Sequence, residues 1–331
     1  MKKVLFFLVA VLLLTQTVLA GGGGQQSQQQ KVVLRWASVL SESNTIVQMM
    51  NMIAEEVNSK TNGRVEIQVF PNGVLGSSRD MAEGVQAGMV DMIVEGASFY
   101  SGSIPMVSIL EAPFVYRDPE HISKVYKSAF GDKLKAEFLK DNLRILGALY
   151  YGTRHLTTGN IPVNSVRDVV GLRIRVPEII GYMEMINSWN ARATPMALAE
   201  LYMALHTGVV DGQENPLPTI YAQKFYEVQK YVILTGHIIN PNFIFINENS
   251  WKKLSPEDQL IVQAAMDKGT AWNDAELMRQ EESMVAELAA LGMTFITPDR
   301  ESFRAVTGPW LVERFEADWG KGTWDEIQNV R

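Results

Sequence analysis

Two arginines separated by a single residue, Arg173 and Arg175, are the side chains of this sequence best suited to binding an anion. Residues 171–177 alternate apolar and basic side chains, so in a strand both arginines project from one face. A guanidinium group holds a carboxylate through two parallel hydrogen bonds. If one arginine points into a cleft, the pattern predicts a carboxylate-binding site. The alternative is a half-exposed strand with a solvated basic face.

Two further segments place polar side chains beside apolar runs. Arg154 follows the apolar pattern of residues 143–149, so we expect it at the end of a strand. Residues 211–215 include Asp, Gln, Glu and Asn, between a short strand and a helix that begins near Pro216. Strand ends line many clefts in α/β proteins. These segments could therefore build a polar cleft, although spacing alone does not bring them together.

Motifs of catalysis and cofactor binding are missing from the sequence. There is no cysteine, and the four histidines have no partner at metal-ligand spacing. The serine-hydrolase elbow, the phosphate-binding loop, the zinc-protease motif and the dinucleotide glycine fingerprint are all absent. We therefore predict no catalytic residue, no metal site and no cofactor.

The first thirty residues have the composition of an export signal followed by a spacer. Two lysines precede the apolar run 4–14, and Ala20 closes the segment, which predicts a signal peptide over residues 1–20. The apolar run is well short of the roughly 20 residues that span a bilayer. Residues 21–30, GGGGQQSQQQ, predict a flexible polar tether.

Composition and charge narrow the class of the remaining chain. The 331 residues are 47% hydrophobic and 20% charged, which favours a folded protein with a sizeable core. The formal net charge is −7, and removal of residues 1–20 takes away two lysines and leaves −9. Nucleic acid requires a basic surface, so we do not expect it as a partner.

Strand-like and helix-like patterns alternate from Lys31 onward and predict an α/β fold. The order of the first five elements, strands at 32–37, 65–69 and 90–94 with helices around 46–57 and 79–87, favours a mainly parallel sheet. A second such stretch, 143–215, and strand-like residues 233–246 indicate two lobes with crossing strands. Ser255 as a cap and Pro256 at the first position predict a helix to Leu291, roughly 50 Å long, that lies across both lobes.

Three long segments resemble the extracytoplasmic solute-binding proteins of TRAP (tripartite ATP-independent periplasmic) transporters. They read PNGVLGSSRDM (71–81), YYGTRHLTTGNIPVNSVRDVVGLRIRVPE (150–178) and TPMALAELYMALHTGVVDGQENPLPTIYAQKFYEVQKYV (194–232), and similarity runs from about Val32 to Trp319. The resemblance implies a two-lobed periplasmic-binding-protein-like α/β fold, with hinge strands and a long helix spanning both lobes.

The same resemblance implies that an organic acid binds between the lobes. Arg175 matches the arginine that pairs with the ligand carboxylate, Arg154 a second contacting arginine, and Asn215 an asparagine that hydrogen-bonds the ligand. Glu214 is a further candidate beside Asn215. The other predicted site residues are Trp36, Val39, Arg79, Glu95, Phe99 and Tyr151.

One departure from the family bears on the ligand. Sialic acid-binding relatives carry an acid and a third arginine where this chain has Gly96 and Phe99, which argues against sialic acid. Glu95 could supply an acid one position earlier, but strand alternation turns it to the opposite face. Phe99 could instead pack on an apolar face of the ligand.

We therefore expect a periplasmic receptor, not an enzyme, that binds an acidic sugar such as a uronate, aldonate or keto-sugar acid. It would deliver this acid to the membrane permease subunits of a TRAP transporter. A four-carbon dicarboxylate stays open as the ligand, and a secreted enzyme acting on an acidic sugar stays open as another class. We expect residues 31–150 mainly in one lobe, 151–240 mainly in the other, and 241–331 packed on both. The expected protein is a monomer with no membrane-inserted segment.

Overall fold

A computed structural model describes residues 31–331, so the predicted signal peptide and tether lie outside the described residues. The described chain contains a nine-stranded mixed sheet with helices packed on it. The strands are β1 (Val32–Ala37), β2 (Val65–Phe70), β3 (Met92–Glu95), β4 (Leu143–Thr158), β5 (Arg173–Val176), β6 (Arg192–Pro195), β7 (Gly212–Pro216), β8 (Tyr231–Asn247) and β9 (Thr294–Ile296).

Helices connect and cover these strands. They are α1 (Thr45–Lys60), α2 (Ser78–Gln86), α3 (Pro119–Lys127), α4 (Ala129–Lys140), α5 (Ile180–Ser188), α6 (Leu198–His206), α7 (Leu217–Ala222), α8 (Glu248–Trp251), α9 (Pro256–Ala290), α10 (Arg300–Trp319) and α11 (Thr323–Gln328). Short 3₁₀ turns at Ala97–Tyr100 and Pro105–Glu111 follow β3. Within residues 31–331, no helix combines the length and apolar character that crossing a bilayer demands.

Two long strands, β4 and β8, form the centre of the sheet and belong to both of its halves. The strand order is β2-β1-β3-β8-β4-β7-β5-β6, with β9 beside β8. The first three strands are parallel to one another, as are β5, β6 and β7, whereas β4 and β8 run antiparallel to each other. The parallel arrangement predicted from the first five elements is confirmed for β1, β2 and β3. The sheet as a whole is mixed, because its two halves are joined through the antiparallel pair.

The pairing of β4 with β8 is interrupted near its middle. The register shifts between Tyr150 and Gly152, opposite Pro241 and Asn240. Gly152 has φ +129°, and a Cβ there would come within 2.4 Å of the Cβ of Pro216 on β7. Only glycine allows this close approach. The lobe boundaries proposed at residues 150 and 240 both fall at this irregularity.

The long helix predicted from Ser255 to Leu291 is confirmed. Ser255 caps α9 by accepting a hydrogen bond from the backbone N–H of Asp258, and Pro256 is its first residue. At about 1.5 Å per residue, its 35 residues extend roughly 52 Å. The helix packs against α1 in one half of the molecule and against α7 and β9 in the other.

Two local predictions about the polar segments are wrong. The strand that begins at Leu143 continues to Thr158, so Arg154 lies inside β4 rather than at a strand end. The segment before Pro216 is itself strand β7 rather than a loop. Both segments contain buried polar side chains. A strand prediction based only on apolar residues ends where such side chains begin, which is why both predictions failed.

Candidate functional site

A cleft at the centre of the sheet gathers polar side chains from five strands. It contains about 510 Å³ of space not filled by protein atoms, part of it continuous with solvent. The strands β3, β4, β5, β7 and β8 contribute Val94, Glu95, Tyr151, Arg154, Arg175, Asn215, Asn240 and Asn242. Residues outside the strands complete its wall: Val39, Leu40, Ser78, Gly96, Phe99, Glu111, Pro177, Ile179, Tyr182 and Leu198.

Arg175 is a buried cation without a carboxylate partner among the described residues. Alternation along β5 places it on the same face as Arg173, but the two differ in environment. Arg173 is half-exposed and pairs with Asp211 at 2.6 Å, whereas Arg175 has only 3% of its surface exposed. Its Nε and Nη2 atoms donate to the Met196 carbonyl oxygen at 3.0 and 2.7 Å.

Those two bonds orient the Arg175 guanidinium but leave much of its hydrogen-bonding capacity free. Three of its five N–H groups have no acceptor among residues 31–331. Burial, which disfavours the charged form, lowers the pKa of Arg175 to about 10. The side chain therefore remains charged at neutral pH in an environment that does not neutralise it.

Arg154 is also buried, but it is already paired. Its Nε and Nη2 atoms donate to the two carboxylate oxygens of Glu214 at 2.5 and 2.7 Å. Its Nη1 atom donates to Asn240 Oδ1 at 2.9 Å. Burial acts to lower the pKa of Arg154, but the Glu214 carboxylate outweighs it and raises that pKa. One N–H group of Nη1 has no acceptor among the described residues.

Glu214 serves this pair rather than the cleft. It is fully buried, and its Oε2 atom also accepts a hydrogen bond from His237 Nε2 at 3.1 Å. Burial lowers the pKa of His237, so the imidazole is neutral, with Nδ1 accepting from Thr235 at 2.8 Å. Glu214 therefore cancels the charge of Arg154, and Arg175 is left with the net positive charge on this side of the cleft.

Asn215 and Tyr151 line the cleft with their polar groups partly engaged. The Asn215 amide donates to Gln213 Oε1 at 2.5 Å and accepts from Arg154 at 3.2 Å. The Tyr151 hydroxyl lies 3.0 Å from Thr219 Oγ1. Each contact fixes the orientation of a side chain that keeps hydrogen-bonding capacity toward the cleft.

Glu95 lies in the cleft, so the prediction that alternation turns it away is wrong. It is the last residue of β3, where the chain leaves the strand, and its Oε1 atom accepts a hydrogen bond from Ser78 at 2.5 Å. Its Oε2 atom accepts from the backbone N–H of Gly96 at 3.2 Å. Burial, opposed by these two bonds, raises the pKa of Glu95 to about 7.

Glu111 and Tyr182 are cleft residues that the sequence analysis missed. Glu111 Oε1 accepts from the backbone N–H of Ser98 at 2.9 Å, and its Oε2 accepts from the Tyr182 hydroxyl at 2.9 Å. Burial raises the pKa of Glu111. A single acid inside the apolar run 107–115 was a signal that could have identified Glu111, since an unpaired buried acid is costly.

The cleft contains seven of the ten predicted site residues. These are Val39, Glu95, Phe99, Tyr151, Arg154, Arg175 and Asn215. Three others do not line it. Trp36 is fully buried in the core with α1, and Glu214 pairs with Arg154 behind the cleft wall. Arg79 is partly exposed on α2 and donates to the Glu178 carbonyl oxygen at 2.5 Å.

Metal ligation has no support within the described chain. No group of three or more histidine, aspartate or glutamate side chains among residues 31–331 is arranged to hold a metal ion. The groups that the described cleft offers are for hydrogen bonding and charge: the cation Arg175 and the acids Glu95 and Glu111 all line it.

Comparison with known proteins finds solute-binding proteins that match nearly all of the described chain. A family described as bacterial extracellular solute-binding protein, family 7, matches residues 36–318. The sialic acid-binding periplasmic protein of Vibrio cholerae is 35% identical over 271 residues, which cover 82% of this chain and 84% of that protein.

Two solved structures are similar to this chain in both fold and sequence. A TRAP periplasmic solute-binding protein of Roseobacter denitrificans with bound L-galactonate has a TM-score of 0.85 at 30% identity, covering 91% of this chain and 99% of that one. A second protein of that organism, with bound 3-deoxy-D-manno-oct-2-ulosonic acid, has a TM-score of 0.87 at 30% identity, covering 91% and 100%.

Proposed function

The chain belongs to family 7 of the bacterial extracellular solute-binding proteins and is a TRAP solute receptor, and from this premise we propose that its cleft binds an acidic sugar. The sugar acid is a uronate, aldonate or keto-sugar acid. The receptor works in the periplasm as a monomer after removal of residues 1–20, and it delivers the acid to the membrane permease subunits.

The buried and unpaired Arg175 is the observation that carries this proposal. A buried charge without a counter-charge lowers stability, and such a group in a cleft is a candidate for binding a ligand of opposite charge. A ligand carboxylate supplies that partner. With three N–H groups free, Arg175 can form the bidentate pair that recognises a carboxylate.

The net charge of the protein makes local recognition necessary. At a formal charge of −9 after loss of residues 1–20, the protein repels anions at long range. Affinity must therefore come from Arg175 inside the cleft, where exclusion of water strengthens the ion pair. The remaining N–H group of Arg154, together with Asn215 and Asn242, provides donors and acceptors for ligand hydroxyl groups.

The ligands of three of the relatives support the same chemical class. Sialic acid, L-galactonate and 3-deoxy-D-manno-oct-2-ulosonic acid are all hydroxylated monocarboxylates. The cleft of this chain offers a cation for the carboxylate and several polar side chains for hydroxyl groups, as such molecules require.

A thermal-shift panel tests the proposal. The protein lacking residues 1–20 is heated with uronates, aldonates, keto-sugar acids, sialic acid or dicarboxylates, and Tm is recorded. A ligand at about 100 times its Kd adds roughly 2.7 kcal/mol to the free energy of unfolding, which gives a clear rise in Tm. We expect a rise with a sugar acid. No rise with any acid of the panel would overturn the proposal, and turnover of the bound acid would identify an enzyme instead.

A further inference from the structure

The backbone conformation at Gly96 does not require a glycine. Its φ of −66° and ψ of 140° are ordinary extended values that any residue adopts. Glycine is therefore present for the space it leaves rather than for its conformational freedom.

That space is occupied by the carboxylate of Glu111. A Cβ added at residue 96 would lie 2.5 Å from Glu111 Oε1 and 2.7 Å from Oε2. Both oxygens are held in place, one by the backbone N–H of Ser98 and the other by the hydroxyl of Tyr182, each at 2.9 Å. A side chain at residue 96 would thus have to displace an anchored carboxylate.

The anchored carboxylate still has capacity for a ligand. Two carboxylate oxygens offer about four acceptor positions, of which the Ser98 and Tyr182 bonds use two. Glu111 lines the cleft and is only 5% exposed, so a hydroxyl group reaching it would form its bond away from bulk water. Hydrogen bonds to a carboxylate are roughly twice as strong as those between neutral groups.

Glu111 and Arg175 line the same cleft from different parts of the fold. Arg175 lies on β5, whereas Glu111 ends the 3₁₀ turn Pro105–Glu111 that follows β3. A ligand whose carboxylate pairs with Arg175 can therefore present its hydroxyl groups to Glu111, whose carboxylate accepts hydrogen bonds from them and repels a second carboxylate.

We infer that Glu111, accommodated by Gly96, binds hydroxyl groups of the ligand and selects hydroxylated monocarboxylates over dicarboxylates. This inference rests on the proposed function, because it takes the binding of an acid at Arg175 as given. Gly96 acts as a positioning residue, since it determines where the Glu111 carboxylate lies.

Calorimetric titration with L-galactonate, D-glucuronate and succinate tests the inference. We expect the unmodified protein to bind at least one of the two sugar acids tenfold or more tightly than succinate. Glu111→Gln should weaken that sugar acid about tenfold to hundredfold and should leave succinate binding unchanged or stronger. Gly96→Ala should weaken the sugar acid similarly. Gly102→Ala is the matched control, because a Cβ there meets nothing within 4 Å.

A double variant separates an effect through the Glu111 carboxylate from a non-specific disturbance of the structure. If Gly96→Ala acts by moving the Glu111 carboxylate, it should change the Kd less than threefold in a Glu111→Ala background. The inference would be overturned if the unmodified protein bound succinate more tightly than either sugar acid. It would also be overturned if both single variants bound the sugar acid within threefold of the unmodified protein.

Arg175→Met distinguishes failure of the inference about Glu111 from failure of the proposed function. If this variant loses the sugar acid while Glu111→Gln keeps it, the inference is wrong and the proposed function stands. If no acid binds the unmodified protein, or Arg175→Met binds as the unmodified protein does, the proposed function fails and the inference fails with it.

Discussion

Replacing Arg175 by methionine should separate binding from stability, because the guanidinium is costly in the ligand-free protein. The lowering of its pKa from the ordinary 12.5 to about 10 corresponds to a net cost of about 3 kcal/mol for the charged form, because burial outweighs the attraction of Glu214. The two bonds to the Met196 carbonyl oxygen return roughly 1 kcal/mol each. Methionine fills a similar volume without the charge, so we expect the free energy of unfolding to rise by about 1 kcal/mol.

Binding should respond in the opposite direction. A bidentate pair between a guanidinium and a carboxylate contributes two charge-assisted hydrogen bonds, about 1.5–3 kcal/mol each. Their loss should weaken the sugar acid by at least about a hundredfold. Arg173→Met is the matched control, because Arg173 lies two residues away on the same strand face, is half-exposed and pairs with Asp211. We expect that variant to bind normally.

Scanning fluorimetry without ligand and calorimetry with the sugar acid measure the two effects. For a protein of this size, 1 kcal/mol moves Tm by about 2–4 °C. A fall in the ligand-free Tm of Arg175→Met by several degrees would refute the argument that the guanidinium is an uncompensated charge. Binding within threefold of the unmodified protein would refute its role in holding the carboxylate.

Three further predictions concern the groups around the cleft. Glu95 is neutral below its pKa of about 7, and its ionisation adds a negative charge near an anionic ligand. The Kd for the sugar acid should therefore rise about three- to tenfold between pH 6 and pH 8. In calorimetry, Glu95→Gln should remove this pH dependence. Glu214→Gln should lower the free energy of unfolding in urea by about 3–5 kcal/mol, because it leaves Arg154 buried without its counter-charge. Gly152→Ala should lower the free energy of unfolding by about 2 kcal/mol or more in the same assay, since the added methyl lies 2.4 Å from a side chain on β7. Gly181→Ala is the control, because a methyl group there has no atom within 4 Å and causes no clash.

Short-range patterns were sufficient to predict the elements and part of the cleft. Alternation along residues 171–177 placed Arg173 and Arg175 on one face, and the structure has them so on β5. The cap at Ser255 and the proline after it predicted the start of α9 correctly. These features depend on neighbours within a few residues, and so the sequence displays them directly.

Contacts between distant residues could not be predicted in this way. The partner of Arg154 is Glu214, sixty residues later, and the phenol that binds Glu111 belongs to Tyr182, seventy-one residues later. Nothing in the local composition distinguishes Glu214, which neutralises an arginine, from Glu95, which faces the ligand cleft. The distinction arises from the strand order of the sheet, which brings β4 beside β7.

The continuous sheet argues against either lobe folding on its own. Strand β3 pairs with β8 rather than with a strand near it in sequence, and Met92 is opposite Ile246, about 150 residues later. A chain that ends before Tyr231 would therefore leave β3 and β4 without the strand that lies between them. Such long-range pairing is formed slowly. The first lobe cannot complete its sheet until β8 has been synthesised, so we expect the two lobes to fold together, late and cooperatively, and isolated lobes to be insoluble.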